Sequence, residues 1–317
     1  MDSINAVYGL LPASDEIAPV RQFFWASVAL SWVLTFIPLP GGRCRNYSIV
    51  DRLWSLYPLI IVSQWVCHYG YAEMDNRALV AVALVSIWSL RLTYSSVRRG
   101  DYAMGAEDYR WAHVRKSFDR ALGAAGVIRF VAWEVFNMLF IALFQLTLLY
   151  KLAQPVRQLI VKREEWSTAQ VLLAPAMALF LLLEAIADKQ QYELQRLKRP
   201  GALDAEPNAA YAASREKEVR AGFVYTGLWR FSRHPNVFCE QAFWALMAFF
   251  AGAWNVPSLF VEGALVLIVL MWASVGLTES ITLAKYPLYR AYQIKTSRLI
   301  PCWPLANDKV IGRAHKY

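Results

Sequence analysis

The sequence predicts an all-α protein whose helices cross a membrane about seven times, and three observations favour this fold class. Apolar residues make up 57% of the 317 residues and charged residues 18%, whereas soluble domains have about 45–50% and about 25%. The apolar residues occur in long blocks almost free of charge, and Lys and Arg lie mostly in alternate connecting segments. The surplus of apolar residues therefore indicates a helix bundle that is embedded in lipid.

Seven blocks of 18 to 24 residues have the length and composition of membrane-spanning helices. A helix rises 1.5 Å per residue, so about 20 residues cross the hydrocarbon of a bilayer. The blocks cover residues 22–40, 53–70, 78–97, 127–150, 168–187, 237–256 and 258–278. The first block is not read as a signal peptide, because it is too long and follows Asp15 and Glu16.

The distribution of Lys and Arg predicts the orientation of the chain. With seven spans, one side of the membrane carries 25 of these residues, in 41–52, 98–126, 188–236 and 279–317, and the other side carries 6. Positive charge is retained on the cytosolic side. We therefore expect the N-terminus outside or in a lumen and the C-terminus, with the tail 304–317, in the cytosol.

The net charge of +9 is explained by this topology and by contact with anionic lipid heads. No nucleic-acid partner is expected, because the basic residues are dispersed and no nucleic-acid-binding motif is visible. No metal site is expected either, because the four Cys and four His residues lack the usual ligand spacings. We predict one integral, multi-pass membrane domain over 1–317, in the endoplasmic reticulum if the host is eukaryotic. The oligomeric state is not predicted.

Polar side chains near the cytosolic ends of several spans are candidates for a functional site. Ionisable groups within spans are costly and mark function by default. Glu134 lies deeper in its block, where an ion pair with Arg91 would account for both residues. The other polar groups share one depth on the cytosolic side, and they are Glu184, Asp188, Asn236, Glu240 and Glu279.

The strongest local signal is the start of the sixth block. Pro235 suits the first turn of a helix, where its missing N–H costs nothing. Arg233 and His234 precede it, so the helix N-terminus with these side chains would accept a phosphate or carboxylate. The alternative is the basic flank of a membrane helix, which would hold lipid head groups. The residues alone leave both open.

This stretch, Arg233-His-Pro-Asn-Val-Phe-Cys-Glu240, resembles the R-H-P-N-Y-F-G-E motif of the steroid 5-alpha-reductase-like membrane proteins. It is most similar to a branch of them described only as a domain of unknown function, in a superfamily shared with isoprenylcysteine carboxyl methyltransferases. The resemblance covers about 45–303. Further motifs in the same order are Asp51–Trp54, Arg91–Tyr94, Arg98–Tyr102, Asp108–Arg110, Glu184–Gln191, Glu279, Tyr286–Arg290, Tyr292 and Ile300–Pro301.

The resemblance implies a seven-helix bundle with NADPH entering from the cytosol. It implies the reduction of a conjugated C=C bond in a hydrophobic, steroid-like or lipid-like small molecule that arrives through the membrane lipids. By motif, the residues implied to bind the cofactor are Asp188, Arg233, His234, Asn236, Glu240, Glu279, Tyr286 and Arg290.

Two departures from the motif concern the pose of the cofactor and the catalytic pair. Val237 replaces the motif's Tyr, and Cys239 replaces its Gly, which narrows the approach of a ligand. The steroid reductases also use a Tyr–Glu pair to polarise the carbonyl of the enone. In this chain the candidate catalytic residues are Tyr94 and, as its acidic partner, Asp51.

Two other functions remain open from the sequence. The isoprenylcysteine and phospholipid methyltransferases share the R-H-P helix start and a Tyr-rich ending, which Glu279, Tyr286 and Tyr289 fit. They bind S-adenosylmethionine, which is therefore the alternative cofactor. The third possibility is a lipid-binding protein without enzymatic activity. Seven spans and the A-D-x-Q element favour the reductase.

Overall fold

The computed structural model describes residues 11–12, 16–37, 46–103, 105–123, 126–252 and 257–304, without the side chains of 257–261. All regular structure in these residues is helical, and they contain no strand. The predicted all-α fold class is therefore confirmed for the part of the chain that the structure describes. Cys44, residues 253–256 between the sixth and seventh blocks, and the tail beyond residue 304 lie outside it.

Twelve α-helices, numbered in chain order, are present in the described ranges. They are α1 (Ala18–Leu34), α2 (Ile49–Trp54), α3 (Tyr57–Tyr69), α4 (Asn76–Arg99), α5 (Tyr109–Leu122), α6 (Gly126–Phe136), α7 (Gln145–Val161), α8 (Thr168–Leu197), α9 (Ala209–Ala221), α10 (Pro235–Phe250), α11 (Pro257–Lys285) and α12 (Tyr289–Lys295). A π-helix (Asn137–Phe144) joins α6 to α7, and 3₁₀ turns occupy Tyr71–Glu73 and Gly227–Arg230.

Within the residues that the structure describes, four helical runs are long and apolar enough to cross a membrane, so the multi-pass character is confirmed. They are Asn76–Arg99, Gly126–Val161, Thr168–Leu197 and Glu262–Lys285. The other three predicted spans coincide with shorter helices, α1 with 17 residues, α3 with 13 and α10 with 16. The count of seven spans and the orientation of the termini stay predictions.

Large apolar side chains project outward from these long runs. In water such surfaces would be unusual for a monomer, whereas lipid tails are a suitable solvent for them. They include Ile87 and Leu90 on α4, Val127 and Ile128 on α6, Leu172 and Leu182 on α8, and Leu265 and Val269 on α11.

The chain forms two compact units. The first unit comprises Met1–Met177 and Trp244–Leu267, and the second comprises Ala178–Phe243 and Ile268–Tyr317. In the core of the first unit, α3 packs along α7, and the rings of Trp88 and Trp244 meet edge to face with centroids 4.9 Å apart.

The core of the second unit is aromatic and fixes α12 against the loop that follows α9. Phe223 stacks on Tyr292 with centroids 5.4 Å apart and meets Tyr289 edge to face at 5.0 Å. Tyr292 also donates its hydroxyl proton to the carbonyl oxygen of Trp229. These contacts hold the residues just before α10, where the sequence predicts the site.

Candidate functional site

Glu279 is the centre of a buried polar cluster in the second unit. It lies on α11, and its side chain accepts hydrogen bonds from four others. Arg233 donates Nε to Oε1 at 2.6 Å and Nη2 to Oε2 at 3.1 Å. His234 Nε2 lies 3.1 Å from Oε1, Gln293 Nε2 donates to Oε2 at 3.1 Å, and the Tyr289 hydroxyl donates at 3.4 Å. The structure therefore brings together three predicted site residues: Arg233, His234 and Glu279.

The guanidinium of Arg233 is held on every side by the protein. Besides the two bonds to Glu279, its Nη1 donates to the carbonyl oxygens of Gln293 at 2.8 Å and Thr296 at 2.6 Å. Its backbone N–H donates to the carbonyl oxygen of Ser297 at 2.9 Å. A phosphate that bound Arg233 would have to replace one of these partners. In this arrangement Arg233 joins α11 and the C-terminal segment to the start of α10.

His234 is buried beside this ion pair. Burial lowers the pKa of His234, and the neighbouring charges of Arg233 and Arg298 lower it too, although Glu279 acts in the opposite direction. The imidazole is therefore neutral near pH 7. Because the Glu279 carboxylate only accepts, the Nε2 position carries the proton and Nδ1 is left as an acceptor.

We expect the stability of the protein to fall as pH drops below about 6.5, the ordinary pKa of histidine, with His234 contributing to the loss. The folded state binds this proton less well than the unfolded state, so acid favours unfolding. The change His234→Gln keeps an amide donor for Glu279 but does not titrate. Thermal unfolding between pH 5 and pH 8 should show a smaller acid loss for this variant.

His113→Gln, on α5, is the matched control and should keep the wild-type dependence on pH. If His234→Gln and the wild type lose the same stability on acidification, the assignment of this titration to His234 is wrong.

Asp188 and Asn236 form a second contact in the same unit. Asp188 is buried on α8, and Asn236 lies at the second position of α10, where it donates Nδ2 to Asp188 Oδ1 at 3.2 Å. The amide nitrogen of Asn236, and not its oxygen, must face Asp188, because a carboxylate only accepts hydrogen bonds. The Oδ1 atom of Asn236 is buried and has no hydrogen-bond partner among the described residues. A buried acceptor without a donor is rare in folded proteins.

Trp229 contacts both the Glu279 cluster and the part of α8 that carries Asp188. Its Nε1 donates to the carbonyl oxygen of Ala187, next to Asp188, at 3.2 Å. Its ring centroid lies 6.5 Å from that of His234. Because Trp229 is itself fixed by Tyr292, the indole relates α8 to the start of α10. Acceptor atoms on Asp188, Asn236 and His234 are thus carried by neighbouring parts of one unit.

Glu240 is the predicted carboxylate on α10. The two positions that depart from the motif, Val237 and Cys239, lie on this helix too. Glu240 follows Asn236 by one turn, and Glu184 precedes Asp188 by one turn on α8. Cys239 is buried and Val237 is half-buried. The rings of Phe180, one turn before Glu184, and Phe238, with centroids 5.9 Å apart, pack α8 against α10.

Tyr286 and Arg290 have other partners. Lys198 Nζ donates to the Tyr286 hydroxyl at 2.9 Å and to the carbonyl oxygen of Gly222 at 2.9 Å. Burial acts to raise the pKa of Tyr286, but Lys198 and Lys285 outweigh it and lower the pKa. Arg290 is exposed and donates to Gln293 Oε1 at 3.3 Å.

The predicted catalytic pair lies in the first unit, and the described contacts do not join its members. Tyr94 is 63% exposed, with the Arg98 guanidinium 5.2 Å from its ring centroid. Asp51 Oδ2 accepts from Trp111 Nε1 at 2.8 Å. Burial raises the pKa of Asp51, although Arg110 lowers it. The roles of Tyr94 and Asp51 stay predictions.

A buried tyrosine–glutamate contact that the sequence did not reveal lies in the same unit. The Tyr47 hydroxyl donates to Glu134 Oε1 at 3.1 Å, and Asn137 Nδ2 donates to Oε2 at 3.3 Å. Asn137 begins the π-helix, a distortion often found at functional sites. Glu134 was visible in the sequence as a carboxylate within a span, but its partner is 87 positions away.

Two residues that support the site were not recognised in the sequence analysis, because they bind backbone atoms and not side chains. Glu218 Oε1 accepts from the backbone N–H groups of Tyr225 at 2.8 Å and Thr226 at 2.9 Å. Gln190 Oε1, within the A-D-x-Q element, accepts from the Leu228 N–H at 3.1 Å. These hydrogen bonds fix the loop that precedes Arg233 and His234, and the loop positions both side chains at the site.

Comparison with known proteins gives one family and one relative. Residues 40–296 match the family model described as "Protein of unknown function (DUF1295)". The chain is 33% identical over 277 residues to the uncharacterized protein C594.04c of Schizosaccharomyces pombe, and the match covers 83% of this chain and 76% of the relative. No solved structure matches the chain significantly.

Proposed function

This chain belongs to the DUF1295 family, and on that premise we propose that it is a membrane-embedded, NADPH-dependent reductase of the steroid 5-alpha-reductase-like superfamily. The substrate class is a hydrophobic molecule with a conjugated C=C bond. The proposed topology has seven spans, an outer or lumenal N-terminus and a cytosolic C-terminus, in the endoplasmic reticulum membrane if the host is eukaryotic. In that topology the second unit's site meets the cytosol, which contains NADPH.

The observation that carries the proposal is the buried, unsatisfied Oδ1 of Asn236 beside Asp188. A ligand that supplies N–H or O–H donors would satisfy it. NADPH has such donors in its carboxamide and in its ribose hydroxyls, so the residues present fit this part of the cofactor. Asp188, Asn236 and His234 would hold it, with Glu240 one turn deeper on α10.

The phosphate groups would need cations other than Arg233, because that guanidinium is bound to Glu279 and to two carbonyl groups. Exposed cations lie close by in sequence on the same unit. Arg230 precedes α10, Lys189 follows Asp188, and Arg290 is the second residue of α12. We propose these three as the phosphate contacts and Arg233 as the residue that positions His234 and α10.

When bound, NADPH supplies a hydride for the electron-poor carbon of the substrate. The chain must exclude water and provide a proton donor for the substrate carbonyl, which works best in a dry site. By motif, Tyr94 with Asp51 stays the proposed donor, and Tyr47 with Glu134 forms a second tyrosine–carboxylate pair in the same unit.

The alternative is an S-adenosylmethionine-dependent methyltransferase, and the same observation supports it. The ammonium group and the ribose hydroxyls of S-adenosylmethionine also donate hydrogen bonds, which Asp188 and Asn236 could accept. The involvement of Arg233 in an internal ion pair removes one argument for a phosphate-bearing ligand. A lipid-binding protein without activity would need neither cofactor.

One experiment separates the three functions. The purified full chain in detergent is heated with NADPH, with S-adenosylmethionine or with neither. A ligand at about 100 times its Kd stabilises a protein by about 2.7 kcal/mol, so NADPH should raise Tm by several degrees. The change Asn236→Ala should abolish most of this rise. In sealed, cytosol-out vesicles a C-terminal tag should be open to added protease.

Asn137→Ala, which removes a buried amide from the first unit, is the matched control. It should lower Tm without ligand but retain the rise with NADPH. A rise only with S-adenosylmethionine would establish the methyltransferase alternative, and no rise with either cofactor would leave the lipid-binding protein. An unchanged rise in Asn236→Ala would remove this site from the proposal.

A further inference from the structure

The segment that follows α12 exposes large apolar side chains outside every predicted span. Ile300 is 68% exposed and Trp303 79%, and Ile294 at the end of α12 is 65% exposed. The segment is nevertheless fixed to the second unit. The Cys302 N–H donates to the carbonyl oxygen of Phe231 at 3.0 Å, and the rings of Phe231 and Trp303 lie 5.4 Å apart. The positions of these exposed side chains are therefore fixed within the second unit.

Arg298 attaches this segment to the side of α11. Its Nη2 donates to the carbonyl oxygen of Trp272 at 3.0 Å, and its guanidinium carbon lies 4.2 Å from the centroid of the Trp272 ring. Gly276 leaves room for this position, because with a Cβ atom there, 2.8 Å from Nη2, the end of the Arg298 side chain would have to shift. Trp272, Arg298 and the segment thus occupy one level along α11.

The outward apolar surface of α11 ends at that level. Leu265, Val269 and Trp272 are exposed, whereas no large hydrophobic side chain is exposed from 273 to 285. Trp and Arg are typical of the boundary between hydrocarbon and head groups, where Arg reaches toward the polar layer. The composition alone put this boundary at residue 278, about 9 Å further along the helix.

We propose that the segment from Thr296 to Trp303 lies in the bilayer interface at the level of Trp272, with Ile300 and Trp303 inserted among the lipids. Arg298 carries a positive charge on this segment, with its Nε 4.0 Å from Glu279 Oε2, and Lys295 carries another at the end of α12, just before the segment. An anionic lipid surface complements them, since each juxtamembrane cation attracts such lipids measurably. The occupant of this surface is therefore the anionic lipid interface.

The same segment supports the buried cluster. Thr296 accepts from Arg233 Nη1 at 2.6 Å, Ser297 accepts from the Arg233 N–H at 2.9 Å, and Leu299 accepts from Ser232 Oγ at 2.7 Å. Three carbonyl groups of one short segment thus hold the residues just before α10. Lipid contact at Trp303 therefore stabilises the arrangement of Arg233, whatever ligand the site binds.

A depth measurement tests the position of the segment without any cofactor. The full chain carries Trp303→Cys, with Cys44 and the exposed Cys67 and Cys302 changed to Ser, and is spin-labelled in nanodiscs of mixed neutral and anionic lipid. The label should meet dissolved oxygen more often than a water-soluble nickel reagent. Lys217→Cys on α9, in the same background, is the aqueous control.

Two results would overturn the proposed position. A label at 303 that is as open to the nickel reagent as the label at 217 would place the segment in water. A label shielded from both reagents, with cross-linking between copies, would make the face an interface with a second copy of the chain.

The lipid dependence is tested by thermal unfolding in neutral and in anionic nanodiscs. The anionic lipid should raise Tm of the wild type by about 2–4 °C, and Lys295→Gln should lose about half of this rise. Lys217→Gln, which removes a cation from α9, should retain it. Equal Tm values for the wild type in the two lipids would contradict the lipid contact, and this result would leave the proposed cofactor site unaffected.

Discussion

Replacing Arg233 with Met is expected to lower the free energy of unfolding by about 3–5 kcal/mol, the usual cost of breaking a buried ion pair. The change leaves the buried Glu279 carboxylate with only the more distant Arg298, whose Nε lies 4.0 Å away, and it leaves the carbonyl groups of Gln293 and Thr296 without this donor. Thermal and denaturant unfolding of the full chain in detergent measures the loss.

Two further variants show whether the cost comes from the unpaired charge. Arg230→Met, which removes an exposed cation three residues earlier, should change stability by less than about 0.5 kcal/mol. The double change Arg233→Met with Glu279→Met should recover part of the loss, because no charge is then left buried. A single variant Arg233→Met as stable as the wild type would contradict the structural role of Arg233.

Replacing Gly222 with Ala is expected to cost about 2–5 kcal/mol. Gly222 ends α9 at a φ of 87°, and its Cβ atom would lie 2.2 Å from the ring of Tyr286. The left-handed conformation alone costs an alanine about 1–2 kcal/mol, and the overlap adds about 1–3 kcal/mol. Tyr286 would have to leave Lys198. Unfolding in detergent measures the total.

Gly100 is a matched control for the backbone contribution. It ends α4 at a φ of 89°, but a Cβ atom there would have nothing within 4 Å. Gly100→Ala should therefore cost only about 1–2 kcal/mol. If the two variants lose the same stability, the contact between Gly222 and Tyr286 contributes nothing, and the placement of Tyr286 is wrong.

The helices were predictable where local signals and composition agree. The block 78–97 lies within α4, which Asp75 caps by accepting from the backbone N–H groups of Arg77 and Ala78. The block 53–70 divides into α2 and α3, and Pro58 stands in the first turn of α3. A Pro suits such a first turn, so this division could have been read from the sequence.

Charges within helices were harder to judge. The block 127–150 stops before Lys151, but the helical run continues to Val161. Lys151 is buried and lies 3.4 Å from Glu262, so its charge is compensated inside the first unit. The cost of a buried charge depends on its partner. The partner of Lys151 is 111 positions away in the chain, so no local sequence pattern indicates the pair.

The candidate site shows the same limit. The helix start at Pro235 and the polar positions Asp188, Asn236 and Glu279 were all named from their spacing. The resemblance implied that Arg233 binds the cofactor, whereas the proposed function gives Arg233 the positioning of His234 and α10. The structure adds that Arg233 is tied to Glu279, 46 positions away, and to the backbone of the C-terminal segment.

The sequence by itself determined that this protein is helical, apolar and built to cross a membrane, because hydrophobic length and charge are properties of each segment alone. It also placed the polar residues near one end of the helices, since their depth follows from the rise per residue. Only the tertiary structure decided which of them pair: Arg233 with Glu279, Asn236 with Asp188, Tyr47 with Glu134. Hydrogen bonds reach about 3 Å, and only folding brings residues so distant in the chain that close.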